Sequence, residues 1–317
     1  MQIVEVEHLE YSVPMSSIRM HTHEIPTDAL LVKRLLTAQF SRWADLSIKP
    51  VPSAGTDNSL YRLGADMLVR LPRIDWALGQ VHKEHEWLPK LAPFLPLEVP
   101  VPLAKGTPDS GYPWHWSIYR WIDGENMSID SAKSPRQAAV DLAGFVRALQ
   151  QVDSAEGPPP QNPDSSRGIP LIRRDTDVRN ALSALASIID PAAAIAVWES
   201  AVRAPEWKGA PVWIHGDLQS GNLLFREGKL RAVIDFGCLA VGDPASDVMA
   251  AWLFLSKDTR GQFREALQVD DDTWARARGW ALSVGLIALP YYRETNRALA
   301  AIASRAISET LSDVAYL

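Results

Sequence analysis

Between Val212 and Asp247 the chain alternates apolar runs with polar residues that an ordinary core would not contain. Val212 to Ile214 and Leu223 to Phe225 are apolar, and His215, Asp217 and Asn222 lie between them. Glu227-Gly228-Lys229 reads as a hairpin turn, and the mostly apolar run Leu230 to Ile234 stops at Asp235. The pattern predicts three short strands with polar residues at their ends and in the loop between them. Strands aim side chains and loops leave them accessible, so sites are built where the two meet. The rest of the chain has to be organised around this stretch.

The residue types suggest the chemistry. Carboxylate and amide oxygens are hard ligands, suited to Mg²⁺ bound to phosphates. Asp235 could bridge a metal to a nucleotide, and Asn222 could hold a second metal. His215-Gly216-Asp217, then Asn222, then Asp235-Phe236-Gly237 follow the H-x-D, Asn and D-F-G order of a phosphoryl-transfer site. Singly, each has an ordinary reading: a loop carboxylate, a turn residue, a cap. Together and in register they point to catalysis. His215 is expected to support the loop by hydrogen bonding, and Cys238 to be a small core residue.

Composition narrows the class. The chain has 317 residues, enough for one large domain or two lobes, and 47% are hydrophobic. A net charge of −6 argues against general nucleic-acid binding, which needs a basic face. One Cys allows no intrachain disulfide and no Cys-rich zinc site. No apolar run reaches the length of a membrane span, and the first residues lack a basic-then-apolar signal pattern. A cytoplasmic protein with no membrane or nucleic-acid partner is expected.

His-Gly-Asp-Leu-x-x-x-Asn, Ile-Asp-Phe-Gly and Gly242-Asp243-Pro244-x-x-Asp247 resemble the aminoglycoside phosphotransferase family, kinase-like enzymes that phosphorylate small molecules. The resemblance covers roughly residues 28 to 317. Gly216, where a protein kinase has Arg, and the short Gly242–Asp247 stretch, in place of a long activation segment, favour this branch over protein kinases. The resemblance implies an α+β, bilobal protein-kinase-like fold: a small N-terminal antiparallel sheet lobe over residues 27–121 and a larger, mainly helical C-terminal lobe over 122–317. Residues 1–26 are expected to be a peripheral extension, with Met20 a possible start.

Along the chain, Thr27 can cap a helix to Trp43, with Leu30, Leu31, Leu35, Leu36 and Phe40 at helical spacing. Val51 to Arg73 reads as two strands and a turn. In the resembling fold, Ser53, Gly55 and Asn58 fall in the phosphate-covering loop, where backbone N–H groups and hydroxyls can meet phosphate. Arg70, in the strand Met67 to Pro72, stands where protein kinases have the nucleotide-contacting Lys. Glu84, in a helix from Ala77 to Leu91, is preferred to Glu86 as its partner. Trp114 to Trp121 reads as a strand leading into the lobe connection, which implies a nucleotide role for Tyr119 and Trp121 through main-chain groups. Helices are further expected from Ser134-Pro135 to Val152, from Asp190-Pro191 to Ala204, from Pro244 to Leu255 under an Asp243 cap, from Asp270 or Asp271 to Leu289, and over residues 296–315. The Pro-rich stretch Glu156 to Ile169 is the one long irregular insertion.

The resemblance implies ATP or GTP between the lobes, Arg70 on its phosphates, Asp235 and Asn222 on Mg²⁺, and Asp217 as base toward a small-molecule hydroxyl. Asp247 would hold the catalytic loop. For the acceptor, acidic residues such as Asp258, Asp271 and Glu294 would suit a polycationic aminoglycoside. Trp252 and Tyr291, among 12 Trp in all, would suit a partly apolar one. A kinase of a small metabolite alcohol, a nucleotide-binding pseudoenzyme and a protein kinase are the rival readings.

Overall fold

The computed structural model describes residues 23–160 and 167–313. The expected N-terminal extension with Met20 lies almost wholly outside them. Helix α1 (Ala29–Gln39) buries Leu31, Val32, Leu35 and Leu36 on one stripe. Its cap is Asp28, not Thr27: the Asp28 carboxylate accepts the Leu31 N–H at 2.7 Å. The helix also stops at Gln39, and Ser41–Trp43 forms a separate 3₁₀ turn. Leu30, counted into the apolar stripe from sequence, is exposed.

Strands β1 (Ile48–Pro50), β2 (Asn58–Leu63), β3 (Met67–Pro72), β4 (Pro102–Gly106) and β5 (Trp116–Arg120) form one antiparallel sheet in the order β1-β2-β3-β5-β4. The sequence reading had neither β1 nor a strand at Pro102; both are short edge strands whose pairing comes from the neighbour rather than from their own pattern. The sheet and α1 share a small core that includes Tyr61, Val69, Trp116 and Ile118. Helix α2 (Leu78–Leu91) follows β3, and its Leu88 and Leu91 belong to the larger, second core. So α2 links the two halves of the molecule.

The second half is mainly helical. Helix α3 (Pro135–Gln151) starts at Pro, as expected, and buries Leu142, Phe145, Val146 and Leu149. Helices α4 (Asp175–Leu185) and α5 (Pro191–Arg203) follow. Strands β6 (Val212–Ile214), β7 (Leu223–Arg226) and β8 (Lys229–Val233) appear where expected, but they do not form one sheet. β7 and β8 pair as a hairpin, whereas β6 pairs with β9 (Ala240–Gly242). Glu227 and Gly228, with φ of 54° and 71°, make the two-residue turn; positive φ at both positions matches the right-handed strand twist.

The helix expected from Pro244 to Leu255 is two single turns, α6 (Ala245–Val248) and α7 (Ala250–Leu253). Helix α8 (Lys257–Leu267) packs on α3. The long α9 (Asp271–Tyr292), capped by Asp270, packs against α5 and against α10 (Arg297–Ser312). Among the described residues, no helix is long and apolar enough to cross a membrane.

Candidate active site

The two β pairs bring the polar residues of 212–247 to one place. The β6–β9 register sets Val212 opposite Gly242 and Ile214 opposite Ala240, and the chain after β9 turns back to bring Asp247 to the backbone of His215 and Gly216. Buried Asp247 accepts the N–H of His215 at 2.8 Å and of Gly216 at 2.7 Å, one on each carboxylate oxygen. Burial raises its pKa. Gly216 has φ 80°, and a Cβ there would lie 2.9 Å from the Cys238 carbonyl oxygen. The loop can turn here because the residue is Gly.

His215 is wholly buried, and burial depresses its pKa, which keeps the ring neutral. Its Nδ1 accepts the Asp217 N–H at 3.2 Å, so Nε2 carries the proton and donates to the Ile234 carbonyl at 3.1 Å. Both ring nitrogens are engaged in holding the loop to the end of the β8 strand. The ring is not placed to exchange protons with a substrate.

Asp217 is partly buried, and Asn222 Nδ2 donates to its carboxylate and to its carbonyl, each at 2.8 Å. Burial raises the Asp217 pKa; the Arg167 charge opposes this and the Asp235 charge adds to it. Asn222 ends a 3₁₀ turn (Ser220–Asn222) that leads into β7. Asn126, from the segment after β5, donates to the carbonyls of Ser220, Gly221 and Leu223 at 2.9–3.1 Å. Nothing in the sequence pattern marked Asn126, because its partners are main-chain atoms about a hundred residues away.

Asp235 adopts a left-handed backbone, φ 63° and ψ 74°, which is uncommon outside Gly and is found at functional turns. Arg70 Nη2 donates to it at 2.6 Å. Burial works against ionisation of Asp235, but the Arg70 charge, with hydrogen bonds from Arg70 and the Gly237 N–H, favours the carboxylate, and the net pKa is lowered. Arg70 Nη1 spans both Glu84 oxygens at 2.7 and 2.9 Å, and the Tyr119 hydroxyl donates to Glu84. Glu84, not Glu86, is therefore the partner; Glu86 pairs with Lys90 on the exposed face of α2.

Two residues around Arg70, Gln80 and Lys83, went unnoticed in the sequence. Gln80 accepts from Arg70 at 3.1 Å and donates to Asp57 at 2.9 Å. The Asn58 amide lies 3.2 Å from Gln80. Lys83 donates to the Gly237 carbonyl at 2.6 Å, tying α2 to the turn after Asp235; burial lowers its pKa. Gln80 and Lys83 lie four and one positions before Glu84. That spacing puts Gln80 on the same face and was a readable signal.

The loop before β2 is held from both sides. Ser53 Oγ accepts the Gly55 N–H at 3.0 Å. Asn296, the cap of α10, donates to the Ala54 carbonyl at 2.8 Å, and Tyr292 hydrogen-bonds Thr56. The end of α9 thus meets the loop across the cleft.

Other expected contacts differ. The Tyr119 main chain lies in the sheet, opposite Leu68 and Pro102, and its hydroxyl serves Glu84. The Trp121 N–H donates to the Asp66 carbonyl at 2.8 Å, its indole N–H goes to Asp123, and Arg62 covers its ring at 3.7 Å. The Trp121 N–H and both side chains are thus engaged within the protein. Asp243 accepts the Ala245 N–H at 2.9 Å at the start of α6, as a cap would, and is also the buried partner of Arg276, at 2.8 and 3.2 Å.

Of the acceptor candidates, Trp252 is wholly buried, with its N–H on Asp313, and is a core ring. Asp271 pairs with Arg264 and stands roughly 30 Å along α9 from Tyr292, at a rise of ~1.5 Å per residue. Asp258 is exposed in the first turn of α8, away from the loop. Tyr291, half exposed beside Tyr292, and exposed Glu294 do lie at the cleft end of α9.

The donor set fits Mg²⁺. Among the described residues no three His, Cys, Asp or Glu side chains cluster to hold a metal on their own. A Mg²⁺ that uses one carboxylate, one amide oxygen and nucleotide phosphates needs no such cluster. The Asp235 side chain keeps 42% of its surface exposed, and the Asn222 amide nitrogen is turned to Asp217, which leaves its oxygen as the donor.

No curated protein matches the sequence. Among solved structures, the GDP and kanamycin complex of APH(2″)-IIia aligns over 90% of this chain and 99% of its own, at 19% identity and TM-score 0.68. The streptomycin–ATP–APH(2″)-IIa ternary complex aligns over 91% and 97%, at 20% identity and TM-score 0.59. A macrolide 2′-phosphotransferase from Brachybacterium faecium aligns over 88% and 97%, at 21% identity and TM-score 0.58. These likenesses establish a kinase-like fold. The sequence model described as "Phosphotransferase enzyme family" matches residues 47–280, and the chain belongs to that family.

Proposed function

We propose that the protein transfers the γ-phosphate of ATP or GTP, with Mg²⁺, to a hydroxyl of a small-molecule acceptor. The observation that carries this reading is the convergence of Asp217, Asn222, Asp235, Arg70 and Glu84 from four separate segments on one cleft. Phosphoryl transfer depends mainly on positioning and charge neutralisation. Arg70, aligned by Glu84 and Tyr119, meets the nucleotide phosphates as a fixed fork. Its Asp235 contact holds the two halves together until nucleotide arrives. Asp235 and the Asn222 oxygen would hold Mg²⁺, which would screen the phosphate charge. Asp217 accepts the hydroxyl proton, and Asn222 fixes its carboxylate. The relatives in complex with GDP, ATP, kanamycin and streptomycin support nucleotide use and a hydroxylated small-molecule acceptor.

The test is ADP or GDP release by purified protein with Mg²⁺, across aminoglycosides, macrolides and hydroxylated metabolites, with Asp217→Asn as control. Acceptor-dependent release that the control abolishes supports the reading. Nucleotide binding without release for any acceptor would instead favour a regulatory role.

A further inference from the structure

Arg167 was not singled out in the sequence, and the mechanism above does not use it. It lies near the end of the Pro-rich insertion and packs on the catalytic loop. Its Nε donates to the Gly216 carbonyl at 2.9 Å. A Cβ on Gly216 would lie 3.0 Å from the Arg167 Cβ, so the missing side chain at Gly216 is what lets the arginine stem lie there. Among the described residues no other hydrogen bond and no ion pair engages Arg167, which leaves its two terminal amino groups for a ligand. Between Asp217 and Asn222 the loop itself reads Leu-Gln-Ser-Gly and carries no cation. Gln219 is turned back onto the Gly221 N–H. Arg167 is the cation whose charge acts most strongly on Asp217, yet the two form no direct bond.

A second guanidinium stands behind the first. Arg174 is buried, donates to Ser283 and lies over the Trp280 ring at 5.1 Å; Arg167 faces the same ring at 6.0 Å. Burial, and next the Arg167 charge, bring the Arg174 pKa down to about 9. Asp177 acts on Arg174 from α4. Asp235 and Asp57, which raise the Asp217 pKa, belong to the nucleotide side, where Arg70 pairs with Asp235 and Gln80 and Trp76 donate to Asp57. On the insertion side, the Asp247 carboxylate, which also acts on Asp217, has both oxygens on the loop N–H groups, and Arg167 is the charged group beside the loop with donors left over.

Resting on the phosphotransferase reading, we propose that Arg167 determines acceptor charge: its guanidinium, anchored on the Gly216 carbonyl beside the base, receives a hydroxylated acceptor carrying a carboxylate or phosphate and rejects polycations. Like charges set against each other in a binding site discriminate strongly, whereas complementary ones orient the ligand. A polycationic acceptor would bring its ammonium groups against Arg167 as its hydroxyl approached Asp217.

The experiment measures equilibrium binding of gluconate and of kanamycin to the protein saturated with Mg²⁺ and a non-hydrolysable ATP analogue. It compares wild type with Arg167→Lys, Arg167→Gln and Arg167→Glu. Wild type and Arg167→Lys should prefer gluconate. Arg167→Glu should lose about tenfold in gluconate affinity and gain about tenfold for kanamycin, with Arg167→Gln between them. A ranking that is the same in all four proteins, including one in which none binds either probe, overturns the proposal. So does a loss of Mg·ATP affinity in Arg167→Gln with an unaltered ranking, because the guanidinium would then serve the phosphoryl group. Failure of the phosphotransferase reading is seen elsewhere, as absent nucleotide turnover across the whole acceptor panel. A charge-dependent change in ranking would stand without it.

Discussion

At the scale of single residues, the site works by giving each polar group a partner that fixes its state. Asp217 is held by Asn222 and made more basic by burial. A positioned acid–base group contributes about 10²–10⁴ in rate. Asp217→Asn should therefore lower kcat by about that factor while nucleotide affinity and melting temperature change little; steady-state kinetics and a melting curve check both. Asp247 differs, because it never meets substrate. An Asn there can accept only one of the two loop N–H groups and turns donors toward the other. Leaving such a buried group unsatisfied costs about 1–3 kcal/mol, so Asp247→Asn should lower stability in a denaturant titration as well as kcat. The Arg276–Asp243 pair is buried on both sides. Arg276→Met would leave an unpaired buried carboxylate, and a loss of about 3–5 kcal/mol is expected in the same titration.

At the scale of elements, α2 does two jobs with two faces. Gln80, Lys83 and Glu84 reach the nucleotide side, while Leu88 and Leu91 join the large core. His85, on the face toward β5, is within 3.0 Å of Ser117, and burial holds its pKa down to about 4 from an ordinary 6.5. An unfolded chain takes up this proton near pH 6.5, whereas the folded one resists it until about pH 4. Stability from this group is present above pH 6.5 and is lost as pH falls toward 4. Replacing His85 with Gln should flatten melting temperature against pH in that window, and an unchanged slope would assign the slope to other groups.

At the scale of the whole molecule, the two halves are joined by the apolar face of α2 and, around the cleft, by polar links that include Arg70 to Asp235, Lys83 to Gly237 and Asn296 to Ala54. A ligand in the cleft should add to them. At a hundredfold excess over its dissociation constant, Mg·nucleotide stabilises the folded state by about 2.7 kcal/mol. A thermal scan should show a rise of several degrees with Mg·ATP and much less with ATP alone, and Asp235→Ala should remove the Mg²⁺-dependent part. An equal rise with and without Mg²⁺ would take Asp235 out of metal binding.

The sequence by itself determined the catalytic stretch, the kinase-like class, the helix cores and the hairpin turn at Glu227-Gly228. These rest on local patterns: apolar periodicity, turn chemistry and residue types at short fixed spacing. Arg70 and Glu84 were also legible, because one lies in a strand and the other on the near face of the next helix. Only the tertiary structure decided that Asp243 pairs with Arg276, that Trp252 is core, that Asp28 rather than Thr27 caps α1, and that Tyr119 serves Glu84. It alone seated Arg167 on Gly216 and Asn126 on the catalytic loop. Spacing along a chain specifies which residues share an element. Which elements meet, and which charges are left without water, depends on packing between segments many residues apart.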